Sequence, residues 1–112
     1  FFINTPDILH EYLQKGGRPA FRTRLLLAAT LAPTYGIYSG FELCENVPLR
    51  AGSEEYLASE KYELKSRDYS DPGSLAPEIT QLNRLRREHP ALQRYDNVSF
   101  HRCDNPNILF YL

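Results

Sequence analysis

Methionine is absent from this chain, cysteine occurs only at Cys44 and Cys103, and neither sign of charge prevails: 13 Lys and Arg stand against 14 Asp and Glu over 112 residues, a formal net charge of −1. With 42% hydrophobic residues, that balance excludes a disordered tail and a strongly basic nucleic-acid module. The two cysteines form neither a CxxC nor a metal-ligand spacing, so they read as free thiols of a reducing compartment, the cytoplasm. Long apolar runs are missing as well. The most apolar stretch, Leu25 to Ala32, stops at Pro33, far short of the roughly 20 residues that span a bilayer. There is no glycine-rich phosphate loop, no Ser-His-Asp arrangement to argue from, no internal repeat and no low-complexity segment. His10-Glu11 opens like a zinc-protease motif, but Gln14 stands where its second histidine is required, so the motif fails.

What is present reads as an excerpt of a longer protein, because both ends are apolar, Phe1-Phe2-Ile3 and Ile108 to Leu112, and no initiator methionine precedes them. Phe1 to Ile3 predicts a strand buried on both faces, as in parallel sheets. Thr5 as N-cap, Pro6 at the first helical position and Asp7 in the first turn predict a helix start that Gly16-Gly17 ends. A second helix is expected from Pro19 to Ala32, with Phe21, Leu25, Ala28 and Leu31 on its apolar face, followed by a strand over Thr34 to Ser39. Strand, helix, strand at this spacing is a βαβ unit with parallel neighbouring strands.

From Gly40 to Ser74 the chain is long and charged, which predicts a functional loop carrying a short helix around Glu54 to Lys61. Leu75 to His89 reads as an amphipathic helix with Ile79, Leu82 and Leu85 on one face and Arg84, Arg86 and Arg87 on a solvated one. After Pro90, Asn97 to His101 and Ile108 to Leu112 are strand-like and joined by the turn-rich Asp104-Asn105-Pro106-Asn107, the first hairpin of a separate β-domain with its boundary near Leu92 to Tyr95.

Candidate chemistry is sparse. Asp7 follows the end of an expected buried parallel strand, where barrel enzymes place catalytic side chains, but residue type and position alone favour a helix-start carboxylate stabilised by the dipole. Glu42, Glu45, Glu54, Glu55 and Glu60 are acid/base candidates by residue type alone. Lys61-Tyr62 pairs a cation with an aromatic donor, a combination able to bind sugar hydroxyls, although bare sequence favours an ordinary surface pair. His89 and His101 read as ordinary polar residues.

Three segments in order resemble the α-amylase superfamily, glycoside hydrolase family thirteen. Phe1-Phe2-Ile3-Asn4-Thr5-Pro6-Asp7 resembles its fourth conserved region, Ala32 to Glu42 is similar to its eighth strand, and Leu82 to Leu92, ending His89-Pro90-Ala91-Leu92, looks like its eighth helix. Thr5-Pro6 in place of the usual histidine before the aspartate, with Ser53-Glu54-Glu55-Tyr56 and Ser59-Glu60-Lys61-Tyr62 downstream, resembles the maltosyltransferases that use maltose 1-phosphate. The resemblance implies an α/β fold: residues 1–92 as the C-terminal portion of a (β/α)8 TIM barrel, about strands 7 and 8 with their helices, and 93–112 as the first strands of an all-β C-terminal domain. It implies that Asp7 is the third catalytic carboxylate, a transition-state stabiliser, and that Lys61 and Tyr62 contact the maltosyl donor. The nucleophile and the acid/base match no residue of this chain, so the segment alone is expected to be inactive. It further implies retention of configuration, α-maltose 1-phosphate and an α-1,4-glucan as substrates, no metal or organic cofactor, no nucleic-acid or membrane partner, and a homodimer in the full-length enzyme. The alternatives are a trehalose-synthase-like or α-amylase-like enzyme of the same superfamily, or a non-catalytic carbohydrate-binding module.

Overall fold

The computed structural model describes residues 1–112. The first helix, α1, runs Glu11–Leu31 and is broken at Gly17, whose backbone (φ 55°, ψ −159°) is closed to residues bearing a Cβ. Pro19 stands two residues after the break, where its missing N–H lies in a new first turn and costs no helical hydrogen bond. Beyond it the Leu-, Ala- and Arg-rich run sustains the helix, and Ala20, Phe21, Leu25, Ala28 and Ala29 recur on one face that the core buries. A second helix, α2, spans Ala76–Glu88, in close agreement with expectation, and packs Ile79 and Leu82 against the same core.

The core is small: 15 of 112 residues are buried, and the large ones are Leu9, Leu13, Phe21, Leu25, Phe41 and Leu75, with the Phe21 and Phe41 rings 5.0 Å apart. A domain of this length normally buries a larger share of its apolar side chains, and here Phe1, Phe2, Ile8, Leu26 and Leu64 remain exposed. No helix is long and apolar enough to cross a membrane. Cys44 and Cys103 are unpaired.

The two expected barrel-like strands are adjacent and parallel, but reduced to a single bridge between Phe2 and Gly36. Its hydrogen bonds run from Gly36 N–H to the Phe1 carbonyl (2.8 Å) and from Ile3 N–H to the Gly36 carbonyl (3.0 Å). Helix α1 lies between the two segments in sequence, so they form a minimal parallel crossover. The predicted hairpin is present as β1 (Phe100–His101) and β2 (Phe110–Tyr111), antiparallel, with Phe100 opposite Tyr111.

Three local expectations are corrected. The helix does not start at Thr5-Pro6-Asp7. Thr5 and Ile8 exchange backbone hydrogen bonds in both directions, closing a tight turn, and α1 begins at Glu11 with His10 as N-cap, its Nδ1 accepting from Tyr12 N–H. The cause is tertiary: Leu9 N–H donates to the Glu54 carbonyl and the Pro6 carbonyl accepts from Tyr56 N–H, so the groups that a helix start needs are already spent on the loop. Nor does the loop form a helix over Glu54 to Lys61. It folds back through a Pro48–Tyr56 bridge, and the only helical piece between Gly40 and Ser74 is a 3₁₀ turn at Phe41–Leu43. Finally, Arg86 is half-buried rather than on a solvated face. Its guanidinium donates to the carbonyls of Ala29, Ala32 and Pro33, and lies 5.2 Å from the centre of the Tyr35 ring. It thereby closes the C-terminal end of α1, which carries no basic residue in its own last turn.

Candidate functional site

Where the Phe1–Ile3 segment ends, Asn4 is 1% exposed, and both polar atoms of its amide have a partner. Its Oδ1 accepts from Tyr38 N–H at 2.9 Å, and its Nδ2 donates to the Tyr56 hydroxyl at 2.7 Å. One buried side chain thus ties together the first strand segment, the second strand segment and the charged loop. A buried amide so satisfied fixes geometry, because any displacement leaves polar groups unpaired in the core. Tyr38 and Tyr56 pack edge to face at 5.4 Å, and burial pushes the Tyr56 phenol up to about 12, although the bond from Asn4 opposes it.

Three residues on, Asp7 sits at the tip of the Thr5–Ile8 turn, its N–H held by the Thr5 hydroxyl (3.3 Å) and its side chain 64% exposed. The chain directions of the parallel bridge put Asp7 at the carboxyl end of the pair, the edge from which the Phe41–Leu43 turn and Glu42 also depart. The loop from Ser53 to Tyr56 runs along this turn, held by the Leu9–Glu54 and Tyr56–Pro6 backbone bonds and by Gln14, whose Nε2 donates to the carbonyls of Leu9 (2.7 Å) and Ser53 (2.9 Å).

That path delivers Lys61 to Asp7. The Lys61 ammonium donates to the Asp7 carboxylate and, at 3.2 Å, to Glu55, and lies 5.1 Å from the centre of the Tyr62 ring. The bond to Asp7 holds the ammonium above the usual lysine range; partial burial opposes this and Glu55 reinforces it. Tyr62 itself is 75% exposed, its ring open to solvent beside the cation. The structure therefore brings together all three residues singled out from sequence, Asp7, Lys61 and Tyr62, and adds Glu55 to them. Paired carboxylates, an ammonium and an exposed aromatic ring are suited to a polyhydroxylated ligand: hydroxyls donate to the carboxylates and accept from the ammonium, and the ring packs against C–H faces.

The remaining sequence candidates go elsewhere. Glu45 and Glu60 are engaged by Arg67, and burial, which raises the Glu45 pKa, is outweighed by hydrogen bonds and charge from Arg67 and Lys65, leaving the carboxyl below its ordinary range. Glu54 contributes its carbonyl to Leu9. His101 lies in β1 against Ser99 and Phe110, and His89 caps the end of α2, its N–H on the Leu85 carbonyl. Sequence reasoning missed Asn4 and Arg67. The signal for Asn4 was available, a polar residue at the end of an apolar strand; for Arg67 there was none, because its partners lie seven and 22 residues away.

No protein-family model matches the chain. Comparison with curated proteins finds similarity along nearly its whole length. It is 63% identical over 115 residues to alpha-1,4-glucan:maltose-1-phosphate maltosyltransferase 2 of Streptomyces coelicolor, covering 99% of this chain and 17% of that protein. Over 114 residues, 98% of this chain in each case, it is 56% identical to the alpha-1,4-glucan:maltose-1-phosphate maltosyltransferase of Corynebacterium pseudotuberculosis and 53% identical to that of Mycobacterium tuberculosis, covering 17% and 16% of those proteins. The chain thus spans about a sixth of the length of the curated relatives it matches.

Proposed function

We infer, from a chain that belongs as a segment to the alpha-1,4-glucan:maltose-1-phosphate maltosyltransferases, that the protein carrying it moves a maltosyl unit from α-maltose 1-phosphate to the non-reducing end of an α-1,4-glucan, releasing phosphate with retention of configuration. Retention requires double displacement: a carboxylate displaces phosphate to form a glycosyl-enzyme, and the acceptor 4-hydroxyl then attacks it with the help of a second carboxyl group acting as acid and base. Neither group is assigned to a residue of this segment. Within it, Asp7 is the transition-state stabiliser and Lys61 and Tyr62 bind the donor.

The observation that carries this reading is the meeting of Asp7 with Lys61, 54 residues apart in sequence, at the carboxyl end of a parallel strand pair. That end of a strand pair is where barrel enzymes assemble their chemistry. The minimal parallel crossover with α1 supports the placement of residues 1–92 in the last two units of a (β/α)8 barrel, and the hairpin of β1 and β2 supports the start of a β-domain after it. A homodimer in the cytoplasm is part of the same proposal.

Asp7 accepts hydrogen bonds from sugar hydroxyls, and these strengthen as positive charge develops at the anomeric carbon. Binding that grows in this way lowers the barrier more than it tightens the ground-state complex. The ammonium of Lys61 attracts the anionic donor before and during reaction, so it acts on the ground state too. In the full-length enzyme, Asp7→Asn is therefore expected to lower kcat by roughly a hundredfold or more with a small change in KM. Lys61→Ala is expected chiefly to raise KM for maltose 1-phosphate. Phosphate release, followed at varied donor concentration, reads both. Near-normal turnover by Asp7→Asn overturns the assignment.

A further inference from the structure

We propose that Arg67 is a positioning residue of the donor site, setting the place of Lys61 and Tyr62 by clamping Glu60 to Glu45; this rests on the reading of Lys61 as donor-binding. The Arg67 side chain is only 3% exposed, although the loop around it is charged and solvated. Its guanidinium grips Glu45 as a fork, Nε to Oε1 at 2.8 Å and Nη2 to Oε2 at 3.3 Å, and reaches Glu60 through Nη1 at 2.7 Å. A guanidinium this buried holds its place only when paired, and a planar fork fixes direction as well as distance.

Glu45 is anchored to the frame of the site. Its N–H donates to the Gly40 carbonyl at 3.0 Å, and its carboxylate lies so close over Gly40 that a Cβ there would stand 2.3 Å from Oε2. Lys65 adds a further bond to the same carboxylate at 3.3 Å. Glu60 is the residue before Lys61, and its own N–H donates to the Tyr38 hydroxyl at 2.9 Å. It is thus pinned from one side by the second strand segment and from the other by Arg67, and Lys61 inherits its position.

Backbone strain points to the same clamp. Only two residues other than glycine have positive φ, Cys44 at 55° and Ala58 at 51°. One directly precedes Glu45 and the other lies two residues before Glu60. Such conformations persist where surrounding contacts over-determine them. Arg67 is the group that spans the two strained segments. It has no bond to Asp7, Lys61 or Tyr62, so its effect on the donor runs through Glu60.

The test uses the full-length enzyme and maltose 1-phosphate, with Arg67→Lys, Glu60→Gln and Lys61→Ala as single variants and Glu60→Gln with Lys61→Ala as the double. Lysine retains the charge but not the three-bond fork. Glutamine retains shape and the backbone bond to Tyr38, so this variant keeps the fold even if changes at Arg67 itself do not. Arg67→Lys and Glu60→Gln are each expected to raise KM about tenfold with kcat changed far less, and Glu60→Gln is expected to add little once Lys61 is alanine. If Lys61→Ala raises KM while Arg67→Lys and Glu60→Gln keep the parental KM, the clamp is a structural ion cluster only. If Glu60→Gln raises KM equally with and without Lys61, it acts by another route and the inference is overturned. An unchanged KM in Lys61→Ala overturns the donor reading, and this inference with it.

Discussion

Replacing Arg86 by alanine removes a cap supplied by one helix to another. The last carbonyls of an α-helix have no partner within it, and α1 has no basic side chain in its last turn. Arg86, from the last turn of α2, supplies hydrogen bonds to Ala29, Ala32 (2.9 Å) and Pro33, and a positive charge at the negative end of the α1 dipole. Hydrogen bonds from a charged donor are worth a net 1.5–3 kcal/mol, and a cation at a helix C-terminus roughly 0.3–1 kcal/mol. The site is half-buried, so water replaces part of what is lost, and the expected cost is about 3 kcal/mol. Since every 1.4 kcal/mol is a factor of ten, the last turn of α1 should open roughly a hundred times more often. Amide hydrogen exchange of Ala28 to Leu31 reads that opening directly. Arg87→Ala, one residue along α2 and exposed, is the control and should leave those amides unchanged. If Arg86→Ala leaves their exchange within about twofold of the parent, the guanidinium is a surface group and the capping argument fails.

Two further outcomes are expected. Gly17→Ala should cost roughly 1–3 kcal/mol of stability through backbone strain alone, since a Cβ there meets only Pro19 Cδ, at 4.0 Å; an unchanged melting temperature would show that the break in α1 accommodates side chains. Glu45, whose carboxyl is held below its ordinary range, contributes stability that is present above the usual glutamate value of about 4.3 and is lost as pH falls through the depressed one. Pepsin cleavage between Leu57 and Arg67, taken relative to an unstructured peptide at the same pH, should therefore rise below about pH 4, and Glu45→Gln should make the loop labile throughout the acid range in which pepsin acts; relative cleavage that does not change with pH would refute the role of the cluster.

The parts of the fold legible in the sequence are those whose cause is local. The periodicity of Ile79, Leu82 and Leu85 located α2 to within a residue at each end, and the turn chemistry of Asp104 to Asn107 located the hairpin. What eluded sequence reasoning was decided by distant partners. Thr5-Pro6-Asp7 carries every mark of a helix start, yet Glu54 and Tyr56 claim the backbone groups nearby. Glu54 to Lys61 has helical composition, but positive φ at Ala58 and the bond from Glu60 to Tyr38 hold it in turns. Arg86 looked solvated because its ligands are carbonyls of another helix, which no side-chain pattern reveals. In the candidate site, residue type alone left Asp7 and Lys61-Tyr62 weak, and the family resemblance singled them out; the structure supplied the contact between them.

The break at Gly17 divides the molecule in a way that the continuous span of α1 conceals. Residues up to Gly16 are stitched to the loop: Gln14 bonds Ser53, Asn46 Nδ2 reaches the Gln14 carbonyl at 3.0 Å, and Leu9 and Pro6 pair with Glu54 and Tyr56. Residues after it pack with α2, in the core that Leu9 and Leu13 also enter. The unit of inheritance at this site is therefore two sequence blocks, about 4–16 and 38–67, the second including Tyr38 and Glu45, with the part of α1 beyond Gly17 lying between them in sequence. Recombination between homologues at Gly17 alone cuts across that unit, whereas a double crossover exchanging both blocks carries Asp7, Glu55, Lys61 and Tyr62 over together with the bonds that assemble them.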